Sequence, residues 1–246
     1  MADGNLVTVA SKKLKALQEG LLTDVVFLVG ENDETAEEIR AVRFDLTVSS
    51  TFFANLFNSP LTLKCDGKFR LKNIEPRVFK LIVEFTHLSG QLVSEVDSLE
   101  TCLKLASAAD EYMIDDLAAL CSKLLEDKFL GVDNVWAVLS EHIMVEAVSS
   151  VCLKFLGSKA NVCLKRMEFL DASEEAVKLF CNLDEMNVES ESELLVALLH
   201  YVILKENKKE KFFANAVFLA FEFWLLTLLT LPRCFPCSLS RRRPAL

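Results

Sequence analysis

The chain has 246 residues, 52% of them hydrophobic, a net charge of −9 and only seven glycines. That length suits one large domain or two small ones, and the acidic balance excludes a nucleic-acid surface, which needs clustered Lys and Arg to neutralise phosphates. No two glycines lie closer than Gly20 and Gly30, so the dinucleotide fingerprint and the P-loop, which need glycines close together, are both excluded.

In chain order, residues 11–21 set Leu14, Leu17 and Leu21 at helical spacing and predict a short amphipathic helix. Residues 24–29 are β-branched and aromatic and predict a buried strand, followed by an acidic loop over 31–38. Residues 39–46 read as a second strand. Ser49 and Ser50 then open a helix that carries Phe52 and Phe53, and their hydroxyls read as caps for backbone amides, not as nucleophiles. Phe69–Ile74 alternates apolar and polar residues and predicts a third strand. Glu75-Pro76 opens a helix with proline in its first turn and an apolar face of Val78, Phe79, Ile82, Val83 and Phe85.

Two helices follow over 99–129. Leu103, Ala106 and Ala109 line the first, and Leu117, Leu120, Leu124 and Leu125 the second, with Ile114 ahead of a cap at Asp115. Strands grouped early with helices afterwards predict an α+β domain ending near Gly131, not an alternating parallel sheet. Residues 132–206 are helical throughout. They read as one hairpin over 134–156 ended by Gly157 as a C-cap, a second over 162–180, and a capping box at Ser190–Glu193 before Leu194. This is the pattern of an all-α second domain. The expected ranges are 1–21 for an N-terminal arm, 22–130 and 131–211 for the two domains, and 212–246 for an apolar tail.

Phe212–Leu231 holds eleven Phe or Leu residues and one charge, Glu222, in twenty positions. That length is about what crosses a bilayer. Three readings stand side by side: a tail anchor, a final core helix, and an abnormal terminus.

Little in the chain suggests catalysis. His87, His142 and His200 lie in separate segments, and His142 has no zinc-binding partner at helical spacing. Cys234-Phe-Pro-Cys237 lacks a second ligand pair. The other cysteines mostly sit among apolar residues as small hydrophobes, and the N-terminus has no signal-peptide pattern, so a reducing intracellular compartment is expected. No catalytic residue, metal or cofactor is expected.

Several stations of the first region resemble a BTB/POZ domain: Asp24-Val-Val-Phe27, Arg40–Arg43, Ser49 with Phe52-Phe53, Phe69-Arg-Leu71, Val78-Phe79 to Gly90, and Ala108-Ala-Asp-Glu-Tyr112. Residues 132–203 are similar to the BACK domain that commonly follows one, on Leu170–Val177 and Asp184–Glu193. The resemblance implies a small sheet surrounded by helices followed by an all-α bundle. It also implies homodimerisation and, often, service as an adaptor that links a client to a cullin-based ubiquitin ligase in the cytoplasm. Leu14, Leu17, Leu21, Asp24 and Arg43 then belong to the dimer interface, with Asp24 and Arg43 as a charge pair. Phe57, Leu61, Leu63 and Tyr112 mark the region that meets the cullin. The chain departs from the family pattern at Val42, where histidine is usual, at Phe85-Thr86, where an aromatic–tyrosine pair is usual, and at 57–64, where no hydrophobic-x-Glu motif occurs. The alternative is a non-catalytic scaffold without a ligase role, held at a membrane through 212–231.

Overall fold

The structure is a computed structural model that describes residues 8–32, 36–59, 68–92 and 94–206. The chain forms two compact units, one up to Glu189 and one from Ser190.

The first unit is organised around one short strand. β1 (Val25–Val29) pairs antiparallel with β2 (Glu37–Ala41) and parallel with β3 (Lys68–Leu71), giving the order β2-β1-β3. Val25, Phe27 and Val29 point to the core from β1, the period-two pattern of a strand buried on one face. Phe27 is the centre of an aromatic cluster. Its ring lies 4.9 Å from Phe79, 5.6 Å from Phe69, 5.9 Å from Phe53 and 6.4 Å from Phe57.

The second strand is shorter than the sequence suggests. It ends at Ala41, and Arg43–Ser49 is helix α2. Apolar and polar residues alternate over Ile39–Ala41 and, after a one-residue slip, again over Val42–Leu46, so periodicity alone gives no helix start. The break is tertiary: the Asp24 carboxylate accepts the Arg43 backbone N–H at 2.7 Å and so holds the first free amide of the helix. Helix α3 (Thr51–Asn58) follows at once, because Ser50 is extended and its hydroxyl accepts the Phe53 N–H at 3.1 Å. This is the capping role expected from the sequence.

Helix α1 (Val9–Gln18) lies against β2 and α4 (Pro76–His87), whose residues from Val78 to Thr86 are almost all buried. Glu84 is buried within α4. Its carboxylate accepts the Ser94 N–H at 2.7 Å and the Ser94 hydroxyl, fastening the loop after the helix. Helices α5 (Leu99–Glu111) and α6 (Asp115–Leu124) form an antiparallel pair, and a single π turn over Leu125–Phe129 closes α6. Asp115 sits in the first turn of α6, and Ile114 occupies the cap position without a side-chain bond. The two carboxylates Asp115 and Asp116 favour that end through the helix dipole.

Five helices complete this unit: α7 (Val135–Glu141), α8 (Glu146–Ser158), α9 (Ala160–Cys163), α10 (Met167–Asp171) and α11 (Glu174–Cys181). Their core is built on Trp136, fully buried, 5.1 Å from Phe169 and 5.3 Å from Phe180, with its indole N–H donated to the Cys163 carbonyl at 3.2 Å. Gly157 is not a C-cap: α8 runs on through it to Ser158. A Cβ at that glycine would stand 3.2 Å from the Glu185 carbonyl oxygen, so the residue is small because the returning 183–189 segment lies against it. That segment is tied down by the Asn187 N–H, donated to the Gly157 carbonyl at 2.7 Å.

Packing is continuous across Gly131. The Ser122 hydroxyl on α6 donates to the Ala147 carbonyl on α8 at 2.9 Å, and Lys154 pairs with Glu126 at 2.7 Å. The residues before and after that glycine therefore belong to one compact unit. In the second unit, α12 (Glu191–Glu206) begins with the Ser190 hydroxyl accepting the Glu193 N–H at 3.2 Å. Among the described residues no helix is long and apolar enough to cross a membrane; the 212–246 tail lies outside them.

Candidate interaction surface

Of the residues that the resemblance assigns to self-association, Asp24 and Arg43 are brought together. Leu17 is nearly buried under α1, Leu14 is half-buried, and Leu21 is 56% exposed in the turn that follows. The turn itself is unusual. Gly20 and Leu22 both have positive φ, +70° and +59°, a conformation that costs a branched side chain strain. Its result is to turn Leu22 outward, 94% exposed. The positive φ is what asks for glycine at Gly20; a Cβ there would also stand 3.0 Å from the end of the exposed Arg40 side chain, which is free to shift.

Asp24 and Arg43 do meet, but not as a guanidinium–carboxylate pair. The carboxylate takes the Arg43 backbone amide, and the guanidinium lies 5.1 Å over the Phe57 ring. The reason is geometric: Asp24 sits where the new helix presents its free N–H groups, which are themselves a good anion site. Arg43 stacks on the aromatic core edge, as its planar cation can; its Nε is buried with no hydrogen-bond partner.

This bond places the Leu21–Leu22 turn beside α2. Two α2 residues point away from the core: Phe44, 71% exposed, and Val48, 70% exposed. They are four apart and share a face. Sequence reasoning missed both, because 39–46 read as strand. The signal that could have found them is the Phe44–Val48 spacing with Leu46 alone on the opposite side. Also unforeseen is the contact from Asp45 to His87 at the end of α4, 2.6 Å between Oδ2 and Nδ1.

The residues assigned to a cullin contact lie differently. Phe57 and Tyr112 are only 6% and 3% exposed, so both are core residues and neither offers a surface. Tyr112 fits between Phe52 and Phe53, at 5.2 and 5.3 Å, and its carbonyl accepts the Ser50 hydroxyl at 2.6 Å. Burial pushes the Tyr112 hydroxyl pKa up to about 12. Leu61 and Leu63 lie outside the described residues. What this end does expose is Met113, at positive φ (+53°) and 57% exposed, with the Thr51 hydroxyl donated to its sulfur at 3.2 Å. Asp110, Glu111, Asp115 and Asp116 surround it in sequence and are all exposed.

Groups suited to chemistry are scattered or quenched. Burial pushes Cys152 up to about 12 and Cys181 up to about 11, so neither is a ready thiolate nucleophile. Among the described residues no three His, Cys, Asp or Glu side chains are grouped to hold a metal ion.

The geometry is that of a small three-stranded sheet wrapped by helices, continuing into an all-α region. Two family models match it: BTB/POZ domain over residues 14–129, and BACK, "BTB And C-terminal Kelch", over 135–227. The chain therefore carries a BTB/POZ domain followed by a BACK domain. Among its relatives, human Kelch repeat and BTB domain-containing protein 8 is 21% identical over 201 residues, and human Kelch-like protein 7 is 23% identical over 199. Those alignments take in 81% and 79% of this chain but 32% of each relative, so the chain spans about a third of their length. The solved BTB domain of zebrafish PATZ1 is 21% identical, with 52% of this chain and 97% of that one covered and a TM-score of 0.37.

Proposed function

We propose that this chain acts by assembly: it homodimerises through the α1–α2 corner and, as an adaptor, links a client protein to a cullin-based ubiquitin ligase in the cytoplasm. On this reading residues 22–130 form the dimerising domain, 131–211 form the helical one, and no step is catalytic. The observation that carries it is the corner itself. Leu21 and Leu22 just before Asp24, and Phe44 and Val48 just after Arg43, are large apolar side chains, each exposed, on the two segments that the Asp24–Arg43 bond joins. A contiguous apolar patch on a folded surface marks an interaction site, and a two-fold axis through one patch satisfies both copies at once. On this reading Leu14, Leu17, Leu21, Asp24 and Arg43 belong to the dimer interface.

Light scattering on the full chain tests the self-association. A dimer at micromolar concentration is expected, and Phe44→Asp with Val48→Asp should raise its Kd by at least about tenfold while leaving the fold intact. A strict monomer ends this reading.

Cullin recruitment has its own support and its own test. The relatives named for kelch repeats and the left-handed, exposed Met113 within an acidic run favour a partner at that end. A pulldown with a cullin N-terminal fragment should retain the chain, and Met113→Asp should lose it. Against it stand the absent glutamate in 57–64 and the burial of Phe57 and Tyr112. These favour the second reading, a scaffold without a ligase role, tethered to a membrane through 212–231. Pulldown failure together with co-flotation on vesicles selects that scaffold.

A further inference from the structure

Helix α12 exposes an apolar stripe along its length. Leu195, Leu199 and Ile203 are four apart, with Val196 and Leu204 beside them, and all five are exposed, by 38% to 55%. The other side of the helix is buried at Tyr201 and half-buried at Leu194, Leu198 and Val202. A helix that is apolar on both sides belongs inside a core, and a run of large exposed apolar side chains marks a surface that something covers.

The chain supplies an occupant next in sequence. Five residues, Asn207-Lys-Lys-Glu-Lys211, separate the end of α12 from Phe212–Leu231 with its eleven Phe or Leu and one charge. Connections of about two to eight residues are what join neighbouring antiparallel helices. The BACK match runs over 135–227, through α12 and into this segment, so both fall within one family domain.

We propose that 212–231 docks on the Leu195–Leu199–Ile203 stripe of α12, so that the segment is stowed against its own chain and not in a bilayer; the inference stands apart from the self-association reading. Two arguments select this occupant. A short tether holds the segment at an effective concentration in the millimolar range, which a second copy at micromolar concentration does not approach. A bilayer would carry Glu222, near the middle of the segment, into hydrocarbon, at a cost that cancels much of the gain from the leucines and phenylalanines. Docked on a helix and covered on one side, the same carboxylate faces water.

Acrylamide quenching of tryptophan fluorescence on the full chain tests this, because Trp224 lies in the segment and the other tryptophan, Trp136, is fully buried. In the wild type both should resist quenching. Leu199→Asp with Ile203→Asp should expose one of the two. Chymotrypsin should then cut within 212–231 at least about tenfold faster, since cleavage follows the population of the open form. Circular dichroism and the shielded Trp136 follow the fold of the variant. A folded double variant as protected as the wild type overturns the inference. The wild type alone keeps the test decisive if that variant does not fold: one freely quenched tryptophan, or rapid cutting within 212–231, overturns it too. Wild-type co-flotation on phosphatidylcholine vesicles, with Trp224 quenched by brominated lipid, assigns the segment to a membrane instead. Protection of Trp224 that is lost on dilution assigns the cover to a second copy, and either outcome overturns the docking on α12.

Discussion

The sheet-bearing region and the helical region of the first unit are both closed around large rings, yet they treat their surfaces differently. Phe27 and its four phenylalanine neighbours fill one core, and Trp136 with Phe169 and Phe180 fills the other. The sheet-bearing region exposes Leu21, Leu22, Phe44 and Val48 on the two segments joined by the Asp24–Arg43 bond, besides Val9 and Met113 elsewhere, while the helical region exposes Met144, Val162 and Met167 in three separate elements or turns. Isolated apolar side chains on a surface are ordinary, and a cluster is not. The difference therefore points to the sheet-bearing region as the part that joins to something.

The comparison can be broken at its strongest point, the equivalence of the two cores. Phe27→Ala and Trp136→Ala should each cost about 3–5 kcal/mol, because each empties a site with no exposed surface. Urea denaturation checks this. A small loss at either would mean that the core in question is not closed.

A second effect separates the regions by pH. Tyr112 has its hydroxyl pushed up to about 12 by burial, against about 10 in an unfolded chain. The folded state holds this proton where the unfolded state has lost it. The contribution is present in full below about pH 10 and fades as pH rises through about 12, amounting to about 2–3 kcal/mol at most. Alkaline unfolding of wild type against Tyr112→Phe should show it, with the variant lacking that decline.

A smaller loss is expected at the joint between α2 and α3. Ser50→Ala removes both the cap on Phe53 and the bond to the Tyr112 carbonyl, and should cost about 1–3 kcal/mol in thermal or urea unfolding. The smallest effects on stability sharpen the surface contrast most. Phe44→Asp and Met144→Asp should both stay within about 0.5 kcal/mol of wild type, but only Phe44→Asp should weaken self-association by light scattering. Equal effects on association would erase the distinction between cluster and scatter.

Much of this was legible in the residues. The first strand, the third strand (expected over 69–74 and observed over Lys68–Leu71), the proline-led α4, the serine cap of α3 and the Ser190 cap of α12 follow from local pattern, because each is signalled within a few positions. The candidate surface was only partly legible. Leu14, Leu17, Leu21, Asp24 and Arg43 were named from resemblance, and of these the structure joins Asp24 to Arg43. Phe44 and Val48 escaped, and Phe57 and Tyr112, named for the region that meets a cullin, have buried side chains. In each case the decisive contact is long-range: Asp24 to Arg43 across nineteen positions, Ser50 to Tyr112 across sixty-two.

The sequence by itself determined the α+β order, the helical second region and the absence of a phosphate-cradling glycine loop, since composition and short-range periodicity carry those. Tertiary structure alone decided where β2 yields to α2, why Gly157 must be small within α8, and that Asp45 meets His87. The physical reason is the same throughout. A helix start, a close approach and a charge pair are each completed by a group far away in the chain, and only the folded packing brings that group within hydrogen-bond distance.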